Sequence, residues 1–134
     1  MLAGDVEELA SIAIDCGLSL HKELGPGLLE TVYELLLFEL ICDRGLLVER
    51  QKVVPIRFRG RLLDECFRID LLVEGRLLIE LKSTERHAPV HAKQVLTYLR
   101  LMDLPLGLLM NFGAPTYKEG VKRLANDYYR PFHS

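Results

Sequence analysis

From Val6 to Leu24 the apolar positions recur at helical spacing: Val6, Leu9, Ala10, Ala13, Ile14, Gly17, Leu18, Leu20 and Leu24 fall on one broad stripe. Asp5 with Glu8 three residues on fits an N-cap, and Gly25-Pro26-Gly27 cannot continue the helix. His21, near the helix end, reads as a surface or capping histidine. A second helix is expected from after Gly27 to about Arg44, with Gly45 as its terminator. Its run Leu35, Leu36, Leu37, Phe38, Leu40 and Ile41 is almost continuously apolar, which predicts burial on several sides.

From Leu46 the period drops to two. Val48, Val53, Val54, Ile56 and Phe58 predict a strand, Pro55 suits a sheet edge, and Arg59-Gly60 turns the chain into Arg61 to Cys66. The stretch Phe67 to Lys82 (FRIDLLVEGRLLIELK) then sets two short apolar runs either side of Glu74-Gly75, a hairpin signature. A two-residue turn there would mix the apolar residues of one strand with Glu80 and Lys82 of the other. A three-residue loop, Val73-Glu74-Gly75 with Gly75 left-handed, pairs Leu72 with Arg76 and Asp70 with Leu78. It gathers every odd-numbered residue on one apolar face, and is therefore the expected register. Asp70, Glu80 and Lys82 share the other face, the two acids as diagonal neighbours roughly 7–8 Å apart.

Ser83 to Ala88 reads as a loop, and Pro89 suits the first turn of a helix. That helix carries a core stripe, Val95, Leu96, Leu99 and Met102, and a second stripe, His91, Gln94, Tyr98 and Leu101. Leu106 to Phe112 predicts a strand buried on both faces, which a right-handed crossover lays parallel to the Arg76–Lys82 strand. A final helix is expected from about Tyr117 to Asn126, with Lys118, Lys122 and Arg123 on a solvated face that could touch phosphates. The expected architecture is α/β (α+β): one domain over residues 1–134, a mixed sheet flanked by helices.

The chain has 134 residues, 49% hydrophobic and 27% charged, which suits a globular domain rather than a disordered segment. No apolar run approaches the ~18 residues of a membrane span. Asp5, Glu7 and Glu8 with no basic start do not make a secretory signal. Cys16, Cys42 and Cys66 are odd in number and far apart, which points to a reducing, cytoplasmic setting and away from a disulfide framework or zinc knuckle. A net charge of −2 argues mildly against a large nucleic-acid footprint. Arg57, Arg59, Arg61 and Arg68 cluster along one candidate hairpin and read as charges guarding a solvated sheet edge.

Two carboxylates as close as Asp70 and Glu80 repel unless a proton or cation lies between them. With water and a backbone carbonyl, such a pair suits Mg²⁺ or Mn²⁺, and Lys82 brings a positive charge to the same place. A divalent metal and a lysine together meet the needs of phosphodiester hydrolysis, namely charge neutralisation and an activated water. The plain alternative is an exposed cross-strand charge pair. Glu30, in the first turn of the second helix with Tyr33 one turn later, is also satisfied by the helix dipole alone. His87 and His91 have zinc-compatible spacing, but Pro89 lies between them and no Cys or acid is near, which argues against zinc.

The order helix with Glu30, strand with Asp70, strand with Glu80-Leu81-Lys82, helix with Gln94 and Tyr98, then a buried strand resembles the PD-(D/E)XK nuclease superfamily. The resemblance is closer to one branch, the GxxExxY proteins, whose motif stands here as Gly27, Glu30 and Tyr33. Arg68-Ile69-Asp70, Tyr98-Leu99-Arg100, Asn111-Phe112-Gly113 and Gly120-Val121-Lys122-Arg123 agree as well. Ile69 stands where the superfamily often has proline.

The resemblance implies a restriction-endonuclease-like αβββαβ core and a metal held by Asp70, Glu80 and the Leu81 carbonyl. Lys82 would orient or activate the attacking water, and Glu30 would hold a water or second metal. Gln94 and Tyr98 would steady the lysine and the substrate strand. The leading expectation is a metal-dependent nuclease acting on DNA or RNA. The alternatives are a binding or regulatory module that keeps the fold, as a homodimer or accessory subunit, and a nucleotide hydrolase. The lack of a Gly-rich phosphate loop argues against an ATPase of the P-loop type.

Overall fold

The computed structural model describes residues 5–127 and 129, the side chains of residues 64–66 excepted, so Cys66 lies outside the described side chains. Helix α1 (Val6–Leu24) starts at Asp5, whose carboxylate accepts the Glu8 N–H at 3.0 Å. It stops at Gly25, which takes a φ of 69° and returns its N–H to the His21 carbonyl. Helix α2 (Glu30–Asp43) follows. Strands β1 (Val48–Phe58), β2 (Arg61–Val73) and β3 (Leu77–Lys82) form an antiparallel meander. Helix α3 (Pro89–Met102), with Pro89 in its first turn, leads into β4 (Leu106–Asn111), which runs parallel to β3. A single helical turn, α4 (Tyr117–Gly120), precedes β5 (Val121–Ala125). The sheet order is β1-β2-β3-β4-β5. The architecture is the α+β, restriction-endonuclease-like arrangement that the sequence predicts, extended by one strand.

Helices cover the sheet on both faces. Leu9, Ala13 and Leu20 of α1 and Tyr33, Leu37 and Ile41 of α2 pack on Leu71, Val73, Leu77, Ile79 and Leu81. On the other face, Val95, Tyr98 and Leu99 of α3 pack on Leu72, Leu78 and Leu109. Strand β4 is buried throughout, as expected for a strand covered on both sides. Among the described residues no helix is long and apolar enough to cross a membrane.

Four expectations need correction. The helix expected over Tyr117 to Asn126 is one turn and then β5, paired antiparallel with β4 from Leu106↔Ala125 to Met110↔Val121. A buried strand must satisfy the backbone groups along both its edges, and β5 does so for β4. Val121 and Leu124, three apart, would share a helix face; here they pack into opposite clusters, as strand residues do. Lys122 and Arg123 therefore flank no helical stripe, and Arg123 pairs with Glu7 of α1.

The hairpin register is Val73↔Leu77 and Leu72↔Leu78, so the loop is Glu74-Gly75-Arg76. Glu74 holds a φ of 53° because it is clamped: its N–H donates to the Leu47 carbonyl at 2.8 Å, and its carboxylate accepts the Leu47 N–H at 2.6 Å. The odd-numbered residues of β3 do share a face with Leu71 and Val73, but Ile69 packs on the α3 side with Leu72 and Leu78. His21 is buried rather than a surface residue, with Nε2 3.1 Å from the Ala114 carbonyl oxygen. Helix α2 is less enclosed than its composition suggests, since Leu35 is 43% exposed.

The loop ahead of α2 is fixed by Tyr33, which is wholly buried and stacked on Phe112 with ring centroids 4.5 Å apart. Its hydroxyl donates to the Gly25 carbonyl and accepts the Leu28 N–H at 3.3 Å. Tyr33→Phe removes both bonds and keeps the ring. The expected cost is about 1–2 kcal/mol in urea-melt stability.

Candidate active site

Strand β2 stays paired with β1 from Arg61 to Val73, but with β3 only over Leu71 to Val73. The fork falls at Asp70. Continuing the register Leu71↔Ile79 by one residue sets Asp70 directly opposite Glu80, closer than the diagonal relation expected. There side chains replace ladder bonds. The Asp70 N–H donates to Glu80 Oε1 at 2.9 Å, and the Leu81 N–H donates to Asp70 Oδ2 at 2.8 Å. Each carboxylate thus accepts a backbone N–H from the opposite strand.

Asp70 is also tied toward α2. Gln51 of β1, held at a φ of 51°, donates through Nε2 to Asp70 Oδ1 at 3.2 Å and to Glu34 Oε1 at 2.7 Å. Glu34, only 5% exposed, takes a further ion pair from Arg50 at 3.1 Å. Neither Glu34 nor Gln51 was among the expected site residues. A signal for Glu34 was present: it lies one turn after Glu30 and is an acid inside an apolar helix. Gln51 carries no sequence signal.

Burial drives the Glu80 carboxyl well above the ordinary glutamate range, and the Asp70 charge beside it pushes further; the Asp70 N–H and the Lys82 charge only partly offset this. Burial likewise raises Asp70, with Glu34 and Glu30 adding to the rise and the Leu81 N–H opposing it. Among the described residues neither carboxylate forms an ion pair. Two buried carboxylates brought together on adjoining strands are hard oxygen donors, so the donor set suits Mg²⁺ or Mn²⁺. They are a pair only. Among the described residues no three His, Cys, Asp or Glu side chains gather as a metal-holding group, so a metal here would also need carbonyl or water oxygens.

Glu30 is the first residue of α2 and lies near enough for its charge to raise both acids. Lys82, half-buried at the end of β3, forms no ion pair among the described residues. Its charge lowers Glu80 and, behind burial, lowers His91. From α3, Tyr98 is buried and its phenol is pushed up by burial and then by the charges of Glu80 and Asp70. Gln94, one turn earlier, lines the groove beside Tyr98. Glu30, Asp70, Glu80, Lys82 and Tyr98 therefore form one electrostatic neighbourhood. His87 and His91 lie toward the Lys82 end, each with a buried Nδ1 that has no partner among the described residues.

The loop after Lys82 is held by the end of β4. The Asn111 side-chain oxygen accepts the N–H groups of Thr84 and Gly113, both at 3.0 Å, and the Phe112 N–H donates to the Lys82 carbonyl at 2.8 Å. Asn111-Phe112-Gly113 thus steadies the segment that carries the lysine.

Residues 7–124 match a family model described as PD-(D/E)XK nuclease superfamily. No curated protein and no solved structure matches the chain.

Proposed function

Since the chain belongs to the PD-(D/E)XK nuclease superfamily, we propose that it is a Mg²⁺- or Mn²⁺-dependent nuclease that hydrolyses phosphodiester bonds in DNA or RNA. The observation that carries this reading is the mutual contact of Asp70 and Glu80 at the β2–β3 fork, with Lys82 two residues further along β3. Asp70, Glu80 and the Leu81 carbonyl would hold the ion. It would supply Lewis-acid neutralisation of the phosphodiester and a lowered pKa for water.

The chain's own residues do the rest. Lys82 Nζ orients and activates the attacking water, and its charge offsets the negative charge that grows on the phosphate. Glu30 accepts a hydrogen bond from water at the mouth of the site. Gln94 and Tyr98 position the lysine and the substrate strand. In the overall reaction the water oxygen forms the new P–O bond, and the leaving oxygen departs with a proton. We also place the chain in the GxxExxY branch, on Gly27, Glu30 and Tyr33; the Tyr33 hydroxyl that orders Gly25 to Leu28 gives that motif a physical role in setting Glu30. The reading takes residues 1–134 as one nuclease-like domain acting in the cytoplasm.

The test is cleavage of a panel of DNA and RNA substrates with Mg²⁺ or Mn²⁺. Asp70→Ala and Lys82→Ala are each expected to lose about 10²–10³-fold or more in rate. Wild-type activity no greater than that of the variants across the panel would remove the enzyme reading.

A second reading is a binding or regulatory module, acting as a homodimer or accessory subunit. It is favoured by the acid site being a pair rather than a larger cluster among the described residues. Calorimetry separates the two. The nuclease binds Mn²⁺ and loses it in Asp70→Ala, whereas the module has no such requirement.

A further inference from the structure

Between α3 and the outer part of the β1–β2 hairpin lies a groove of about 460 Å³. Its walls are Ile56 and Phe67 from the hairpin and Val90, Thr97, Tyr98 and Leu101 from α3, with Lys93 and Gln94 supplying polar groups. Phe67 and Tyr98 meet there with ring centroids 5.8 Å apart and planes tilted by 53°. Phe67 is 39% exposed, Leu101 41% and Val90 61%, so an aromatic and aliphatic lining is open to solvent.

Three observations say what such a lining takes. The groove adjoins the candidate site, because Phe67 lies on β2 three residues before Asp70 and Tyr98 packs in one cluster with Ile69, the residue next to Asp70. Its formal charge is positive, from Lys93, and the exposed hairpin beyond it carries Arg57, Arg59 and Arg61, with Arg59 over the Phe58 ring at 5.2 Å. Its aromatic faces are useless to a stacked base pair, which offers only edges in its grooves. An unpaired base has two free faces, and a positively charged channel with aromatic platforms is how proteins hold single strands.

We propose that this groove receives an unpaired nucleobase stacked against the exposed Phe67 ring, which Tyr98 backs from below, so that the substrate is single-stranded or carries a single-stranded end. Lys93 and the hairpin arginines hold the flanking phosphates, and the Gln94 amide reaches the base edge. This deepens the nuclease reading and rests on it.

The chain contains no tryptophan, so Phe67→Trp places a unique fluorophore on the platform. The Phe67→Trp variant is titrated with short oligothymidine and oligoadenine strands, and with a blunt duplex of equal length. Ca²⁺ replaces Mg²⁺ to hold off cleavage, and fluorescence anisotropy of labelled strands follows binding independently. Single strands are expected to quench the tryptophan and the duplex to leave it bright. Phe67→Ala is expected to weaken single-strand binding by about 5–100-fold, the range of one lost base–aromatic stack.

Equal quenching by duplex and single strand, or single-strand binding that leaves the introduced tryptophan unquenched and is unaffected by Phe67→Ala, overturns the proposal. So does a concentration-dependent emission shift with sedimentation as a dimer, which would make a second copy the occupant. Cleavage and Mn²⁺ binding that persist in any of these cases leave the nuclease reading standing. Their absence in the wild-type protein removes that reading, and the proposal falls with it.

Discussion

Glu80→Gln is expected to make the metal-free protein more stable at mildly alkaline pH while abolishing Mn²⁺ binding and cleavage. The native Glu80 carboxyl is held above its unfolded value by burial, then by the neighbouring Asp70 charge, with Glu30 adding and Lys82 opposing. Between those two values the folded chain keeps a proton that the unfolded chain has released. Stability therefore falls as pH rises through that window, and the penalty is complete above it.

Glutamine carries no charge to desolvate, yet its side-chain oxygen can still accept the Asp70 N–H that Glu80 accepts now. The gain should be about 1–2 kcal/mol, or roughly 4–8 °C in Tm, and should vanish below about pH 4, where glutamate is protonated in both states. Thermal melts across pH, with calorimetric Mn²⁺ titrations, check both halves. A glutamate kept for packing alone would give the opposite stability result.

Gly113→Ala should be costly to both stability and activity, although residue 113 touches no candidate catalytic group. A Cβ there would fall on the Thr84 backbone, so the loop after Lys82 must move off β4. That movement strains the bond from the Thr84 N–H to Asn111 and shifts the base of the lysine. The expected loss is about 2–4 kcal/mol, as for other forced overpacking. A further drop of about 10²-fold in rate is expected under conditions where the variant remains folded, since small misplacements of reacting groups carry that effect. Gly45→Ala is the comparison. Gly45 has a φ of 83° with open space around it, so the variant bears only backbone strain of about 1 kcal/mol and should keep its activity. Urea melts and single-turnover rates distinguish the pair.

Much of this arrangement was legible in the residues because local chemistry and tertiary demand agree. Asp5 caps α1 and Gly25 ends it for reasons contained within one helical turn. Pro89 opens α3, and the unbroken apolar run of β4 announces a strand covered on both faces. Asp70 and Glu80 do meet across neighbouring strands, as the hairpin pattern predicts, but through a loop one residue later than expected.

What escaped the sequence was decided by contacts distant along the chain. The hairpin loop moved because Leu47 clamps Glu74 from outside the hairpin. Strand β5 looked helical because its charges recur at helical spacing, and only the open edge of β4 explains its true form. Gln51 could not be found, since its role depends on a left-handed backbone that aims an ordinary amide between Glu34 and Asp70.

The fork at Asp70 bears on how this scaffold can diversify. Beyond it β1 is the only strand that β2 pairs with, and every residue from Arg57 to Leu63 at the hairpin tip is exposed. Insertions or deletions in that tip leave the acid pair, the lysine and both cores as they are. The length and charge of the tip can thus change while the acid pair and the lysine keep their places.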